Sequence, residues 1–423
     1  MKKLLILVIA CSIFLTGGLA SSAGAQEQPG VIQVFLDGLP VVFDTQPVIE
    51  NDRTLVPFRA VAEALNVAVT WNGSTQTITA TDGEIAIWLG IGSKTAYLND
   101  TPVILDAPPV IHGYRTLIPL RFFTEAFNCQ VQWDGVKRYV HITSPPKAMT
   151  VVGFYALGDQ ETSSWTNLFG KAYPALGSGN IDVVSALALG WYTLDEQGNL
   201  LTGSNSGWRR PEGWEDILDA ADRYNLETGM VVHLTDGAGL LSNLLTNEAA
   251  MSRAIGAITK EANLYKGVNL DFEGLGWSEE GEQLTAVRNR LNRFVRLLSL
   301  ELRKNDRSLT LTLHAPNSAY QGYDYQTLGG LADRIIIMAY DYGARPEPLN
   351  LVVEAVEMAG VVVPPKKLVL GISIPSETAE SLMTKVGVAK RYGLEGIAIW
   401  RLGLVSDEMW SGLRSKVFKN YAN

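Results

Sequence analysis

Apolar runs recur along the C-terminal part of the chain at 151–156, 181–188, 229–234, 267–273, 309–313, 334–340, 367–373 and 396–400. Segments with helical period lie between most of them, for example 285–302 and 377–391. Short apolar runs separated by amphipathic helices read as strands that alternate with helices. Eight such pairs predict an α/β fold, a parallel (β/α)8 TIM barrel over 151–421. A doubly wound dinucleotide fold is disfavoured, because no Gly-rich fingerprint follows the first strand. Within the fourth run, Val268, Leu270 and Phe272 alternate with Asn269, Asp271 and Glu273. Strand side chains alternate between faces, so one face is apolar and the other carries an amide and two carboxylates. Such a face is costly to bury in an ordinary core. On a barrel strand it places Glu273 at the C-terminal mouth, where these folds keep their chemistry.

A different pattern precedes the barrel. From Phe35 to about Thr79 the chain repeats at an offset of 62 residues. Arg53-Thr54-Leu55-Val56-Pro57-Phe58-Arg59 returns as Arg115-Thr116-Leu117-Ile118-Pro119-Leu120-Arg121. Asp44, Glu63 and Trp71 return as Asp106, Glu125 and Trp133. Each unit reads as a short hairpin, a Pro-started helix (58–65 and 120–127) and a strand through the Trp. Residues 85–92 read as an extra strand. The expectation is a smaller α+β domain over 30–144, built from two similar repeats. Arg53, Arg59, Arg115 and Arg121 are expected to pair with Glu63 and Glu125. Ser144-Pro145-Pro146-Lys147 then opens a stiff linker, 145–150.

Composition adds the compartment. Hydrophobic residues at 47% and charged residues at 19% describe a globular chain. Lys2 and Lys3, the apolar run 4–15 and the small residues Ser22-Ala23-Gly24-Ala25 read as a signal peptide cleaved after residue 25. A lipoprotein box ending at Cys11 is the alternative. The protein is therefore expected to be secreted or associated with the cell wall. Removing Lys2 and Lys3 takes the formal charge from −9 to −9 − 2 = −11, which argues against a nucleic-acid partner. Only Cys129 remains after cleavage, so no internal disulfide is expected. The four histidines, 112, 141, 233 and 314, are scattered. No metal site and no cofactor are expected from them.

The barrel motifs resemble glycoside hydrolase family 18, the chitinase-like enzymes. Their catalytic strand reads Asp-Gly-x-Asp-x-Asp-x-Glu; here it reads Lys266-Gly267-Val268-Asn269-Leu270-Asp271-Phe272-Glu273. The Asn variant is similar to that of the spore cortex-lytic N-acetylglucosaminidases of the family. Gly153-Phe154-Tyr155 resembles the aromatic opening strand. Met338-Ala339-Tyr340-Asp341 matches the Met-x-Tyr-Asp motif, and Trp400 matches the Trp on the last strand. Two departures stand out. The third run, Val231-Val232-His233-Leu234-Thr235-Asp236, lacks Ser-x-Gly-Gly. The seventh and eighth runs lie too close for the α+β insertion that deepens many chitinase clefts, so a shallow, open groove is expected. The first domain resembles the copper amine oxidase N-terminal domain, but no trio of His or cofactor Tyr supports copper chemistry.

The resemblance implies retaining, substrate-assisted hydrolysis, in which the sugar's own acetamide oxygen attacks its anomeric carbon. Glu273 would be acid then base, Asp271 would orient the acetamide N–H, and Tyr340 would hold its oxygen. A like charge at Asp271 would raise the pKa of Glu273. Asn269, Asp341, Met338, Trp400 and Tyr155 would line the substrate site. Trp191, Trp208, Trp214 and Trp277 are candidates to stack on sugars or to pack under mouth loops. His233 and His314 read as structural. The expected partner is a polysaccharide containing N-acetylglucosamine, peptidoglycan or chitin, bound by a monomer. The first domain is either a wall-contacting module or a spacer. A chitinase, a non-catalytic glycan-binding barrel and a wall-anchored structural protein are the competing readings.

Overall fold

The computed structural model describes residues 31–50, 52–155, 163–203 and 208–419. The export segment and Cys11 lie outside them. Eight parallel strands close a barrel: β1 (Lys147–Tyr155), β2 (Ala186–Leu194), β3 (Glu227–Thr235), β4 (Gly267–Glu273), β5 (Ser308–His314), β6 (Arg334–Met338), β7 (Leu368–Ser373) and β8 (Gly396–Trp400). Each pairs with the next, and β1 pairs with both β2 and β8. Helices such as Gly281–Lys304 and Ala379–Arg391 cover the outside. The second strand starts later than the apolar run predicts. Val183 and Val184 are buried, yet the ladder begins only at Ala186, opposite Val152 and Glu227.

Register decides which residues face the lumen, because paired residues of parallel strands point to the same side. Val152 pairs with Ala398, Ala398 with Gly371, Gly371 with Met338, and Asp271 with both Thr312 and His233. Val152, Phe154, Ala188, Val231, Ile336 and Ala398 make an apolar plug of their own inside the barrel. The opposite faces of the strands join the much larger core beneath the helices.

The first domain has a local twofold. Strands Arg53–Pro57 and Arg115–Pro119 pair antiparallel about Val56 and Ile118, which are 118 − 56 = 62 apart. Leu55–Pro119 and Pro57–Leu117 flank that pair symmetrically. Helices Phe58–Ala64 and Leu120–Ala126 follow, and 86–90 is the extra strand. The expected ion pairs take different partners. Arg53 pairs with Asp106 at 2.7 Å and Arg115 with Asp44 at 2.5 Å, each reaching into the other repeat. Among the described residues none of the four arginines, Arg59 and Arg121 included, forms an ion pair with Glu63 or Glu125.

The stretch expected as a linker is not free chain. Lys147–Met149 already belongs to β1 and pairs in parallel with Val417–Lys419. Beside it, Asp37 of the first domain is buried between barrel lysines. It accepts from Lys416 Nζ at 2.8 Å and from the N–H and Oγ of Ser144, with Lys390 Nζ at 3.7 Å. Lys390 also donates to the Pro145 carbonyl, and Arg391 donates to the carbonyls of Leu39 and Pro40. Burial alone would push the Asp37 carboxyl up. The charge of Lys390 and hydrogen bonds from Lys416 and Ser144 outweigh it and hold Asp37 below the usual range.

Removing one partner of a buried ion pair strands the others, so Asp37→Ala should destabilise the folded chain by about 3–5 kcal/mol at neutral pH. A depressed carboxylate contributes stability above its unfolded pKa and loses it as pH falls through the folded one. The urea midpoints of wild type and variant should therefore converge at pH values below about 4. An equal gap at pH 3 and pH 7 would reject the ion-pair account.

Candidate active site

Strand β4 carries the polar face into the lumen. Asn269 and Asp271 are both buried, and Glu273, last on the strand, is partly open at the mouth. Thr312 on β5 donates to Asn269 Oδ1 at 2.9 Å. Asn269 Nδ2 and Asp271 Oδ1 are buried without a hydrogen-bond partner among the described residues. Unmet polar atoms at such depth are costly unless a ligand completes them. Two histidines flank Glu273. His233 Nε2 lies 3.4 Å from Oε1, and His314 Nε2 lies 3.9 Å from Oε2. The His314 nitrogen also accepts from the Gly274 N–H at 3.3 Å. An accepting nitrogen carries no proton, so His314 is a neutral imidazole in this arrangement.

These contacts set the charge of the site. Burial raises the Asp271 carboxyl well above the usual range, and the Glu273 charge raises it further. Burial also acts upward on Glu273, but the hydrogen bond and charge of His233 outweigh it and bring Glu273 down. Burial acts downward on His233, and the hydrogen bond to Glu273 with the charge of Asp271 brings it above an ordinary histidine. For His314, burial dominates and lowers it. Of the two carboxyls Asp271 therefore binds a proton more tightly than Glu273, and the pair favours the charged form of His233. This reverses the expected direction for Glu273. A like charge does act between the carboxyls, but the more deeply buried partner is the one raised.

Tyr340 follows the end of β6. Burial, then the charges of Asp271 and Glu273, push its hydroxyl far above normal, so it stays a donor. Met338 faces the lumen opposite His314. Asp341 sits at the open rim with a positive φ of 64°. Its loop is held by Glu347, a buried carboxylate that accepts from the N–H groups of Asp341 and Tyr342 at 3.0 and 3.1 Å. Trp400, at the end of β8, packs edge-on against Phe154 at 5.1 Å and lies 5.0 Å from Trp208. Gly190 makes room for that indole, since a Cβ there would meet Trp208 at 2.7 Å. On the β5 side, His314 stacks on Tyr320 at 4.0 Å, and Tyr320 packs on Trp277 at 5.0 Å. Trp277 is 65% exposed, so an aromatic file runs from the rim to Glu273.

The fold thus gathers Glu273, Asp271, Tyr340, Met338 and Trp400 toward the mouth, with Asp341 at its edge and Asn269 deeper in the lumen, toward the strand starts. It does not place Tyr155 there. Tyr155 is one residue out of phase with the lumen and is buried beneath the helices, and Phe154 takes the inward position. Trp191 is also buried, packed against Trp214, which leaves Trp208 and Trp277 of the four tryptophans near the mouth. His233 and His314, expected to be structural, lie in the site, together with Tyr320 and Glu347, for which no motif speaks. The departure from Ser-x-Gly-Gly on the third run was the available signal for His233. His233, Asp271 and Glu273 offer ligand atoms within 4.8 Å of one another, a set able to hold a divalent cation. Scattered sequence positions concealed it.

Comparison with known proteins supports both resemblances. Residues 35–142 match the family described as copper amine oxidase N-terminal domain. A curated relative, "Putative sporulation-specific glycosylase YdhD" of Bacillus subtilis (strain 168), is 26% identical over 159 residues, 34% of this chain. The match spans 36% of that relative's length. Among solved structures, a chitinase from Chromobacterium violaceum ATCC 12472 aligns with a TM-score of 0.51 at 20% identity, over 63% of this chain and 98% of that one. The spore cortex-lytic enzyme SleL of Bacillus megaterium QM B1551 aligns at 0.52 and 15% identity, over 65% of this chain and 76% of that one. The barrel therefore has the chitinase-like fold.

His233 lowers both proton-binding steps of the Asp271–Glu273 pair while it is charged. Replacing it with the neutral His233→Gln should move both limbs of any pH–rate profile to higher pH. A profile that drops in height without moving would reduce His233 to a packing role.

Proposed function

We propose that the barrel is a retaining glycoside hydrolase that cleaves β-1,4 bonds after N-acetylglucosamine in peptidoglycan or a related polymer, using the substrate's acetamide as nucleophile. The observation that carries this reading is the buried, unpartnered Asp271 Oδ1 beside Glu273. An acetamide N–H is a donor that such an acceptor would bind, and the donor hydroxyl of Tyr340 suits the acetamide oxygen. Held between them, that oxygen is aimed at its own anomeric carbon. Substrate binding displaces the resting arrangement, because Asp271 must give up its proton as its second oxygen begins to stabilise positive charge. The proton then resides on Glu273, which passes it to the leaving glycosidic oxygen. Glu273 next takes a proton from water as that water opens the cyclic intermediate and restores the original configuration. Trp400, Phe154 and Trp208 make an apolar wall for the sugar's C–H face, and Trp277 with Tyr320 offers a second platform.

The wall glycan is favoured over chitin by the short connection from β7 to β8. A short 3-10 turn, Ile374–Ser376, and one α-helix, Ala379–Arg391, fill it, so no inserted domain walls the groove. A branched, peptide-bearing strand needs such openness. Export by residues 1–25 would bring the enzyme to that substrate.

Purified peptidoglycan should release reducing ends with the wild type and about 10²–10⁴-fold more slowly with Glu273→Gln, as expected for loss of a general acid. Mass spectrometry should find N-acetylglucosamine at the new reducing ends. Cleavage of chitin oligomers but not wall would transfer the reading to a chitinase. Binding of either glycan with no cleavage would make the barrel a lectin. Tyr340→Phe should lose roughly 10–100-fold in kcat, the worth of a hydrogen bond to a developing charge. Substrate-assisted hydrolysis routes no step through a metal, so dialysis against EDTA should leave the rate unchanged. Loss of activity restored by one divalent ion would instead implicate His233, Asp271 and Glu273 as ligands.

A further inference from the structure

Two clefts open on the first domain, with volumes of about 470 and 580 Å³. They are the same cleft made twice. Each of the 13 residues lining the second has a counterpart 62 positions away lining the first. For residues of the first repeat the counterpart is at +62, as for Trp71 and Trp133, Arg59 and Arg121, or Glu63 and Glu125. For residues of the second repeat it is at −62, as for Arg115 and Arg53. Each cleft is therefore a composite. One repeat supplies the helix and the Trp strand, and the other supplies the Arg of the opposite wall.

The chemistry is also duplicated. Trp71 is 39% exposed and Trp133 is 48% exposed, so each indole presents a face instead of joining the core. Each lies on the strand before a tight turn, held in both copies by an Asx side chain. Asn72 Oδ1 accepts from Ser74 and Thr75, and Asp134 Oδ1 accepts from Val136 and Lys137. The following glycine lies against the indole nitrogen in both: a Cβ on Gly73 or Gly135 would approach Nε1 to 3.4 or 3.2 Å. On the far wall the Arg115–Asp44 and Arg53–Asp106 pairs fix one polar edge. Arg59 with Glu63, and Arg121 with Glu125, stand one helical turn apart on the same face. All four are exposed.

We infer that these twin clefts bind a glycan strand of N-acetylated pyranose units, one segment in each cleft. An exposed indole offers a flat apolar surface to the C–H face of a pyranose ring. Exposed guanidinium and carboxylate groups at its side offer paired donors and acceptors to hydroxyls and acetamides. A free anion would meet Glu63 or Glu125, and a free cation Arg59 or Arg121, so the mixed charge selects a neutral polyhydroxylated ligand. A polymer of identical units can fill two equivalent clefts at once, and linked binding multiplies retention without any new contact. The choice of N-acetylated units rests on the function proposed for the barrel; the clefts' capacity for a sugar chain does not.

The test uses the full chain carrying Glu273→Gln, so that the support is not degraded. Retention on insoluble peptidoglycan and on insoluble chitin is measured by sedimentation, for that protein and for Trp71→Ala, Trp133→Ala and the double variant. In parallel, each Trp substitution is placed in the chain with Glu273 intact, and hydrolysis of soluble chitin oligomers is measured. Each single variant should lose part of the retention and the double at least about tenfold, with soluble hydrolysis unchanged. The support that shows this loss identifies the glycan. Arg59→Gln with Arg121→Gln keeps both indoles and guards against a folding defect; it should weaken retention in the same direction. Trp-dependent retention with no hydrolysis of peptidoglycan or of chitin oligomers would leave this inference standing while the proposed activity fell. Retention equal in wild type and double variant, or no retention on either support, would overturn it.

Discussion

Two carboxylates two residues apart on one strand, turned into a barrel lumen, cannot both stay charged without help. Most of what surrounds Glu273 answers that repulsion. Burial raises Asp271, the deeper of the two, while the hydrogen bond and charge of His233 bring Glu273 down. The third inward position is Asn269, whose amide cannot add a further charge and is anchored by Thr312. Tyr340 is kept protonated by the same burial and the same negative field. Burial holds His314, which accepts from the Gly274 N–H, below an ordinary histidine, so its pull on Glu273 ranks behind that of His233. The two carboxyls differ in depth, and their proton affinities are pushed apart. A ligand that satisfies Asp271 changes that balance.

The barrel and the first domain are joined by a similar economy of charge. Asp37 is buried but meets two lysines and two donors of Ser144, so the joint is polar, fully engaged and specific in register. Lys390 and Arg391 also cap carbonyls of the incoming chain. A greasy contact could slide, whereas one set by directional hydrogen bonds cannot without leaving buried charge unpaired. The twin clefts are thus carried on a domain fixed to the barrel's helical wall and not on a tether.

Much of this was legible in the chain. Period-two alternation placed Asn269, Asp271 and Glu273 on one face, and the offset of 62 predicted two equivalent units. What misled was phase and distance. Tyr155 and Phe154 are adjacent aromatics at the end of one strand, and nothing local says which faces the lumen; the register against Ala398 and Ala188 decides it. Arg53 and Arg115 have acidic residues nearby in sequence, yet they pair across the twofold. His233 looked structural because its charge depends on Glu273 from the neighbouring strand. Trp191 and Trp208 belong to the same mouth region by sequence, but a bulge between Leu189 and Tyr192 accompanies the burial of one, while the other lies against Trp400.

The sequence alone determined the order of strands and helices, the closed parallel architecture, the internal duplication and the acid–amide face of β4. These depend on period and spacing, which are properties of neighbours along the chain. Only the tertiary structure decided which carboxyl is raised and which lowered, that two histidines flank Glu273, that Tyr155 lies outside the lumen, and that each first-domain cleft is assembled from both repeats. Those facts depend on field, burial and register between segments far apart in the chain, and no local pattern encodes a distance across a barrel or a twofold axis.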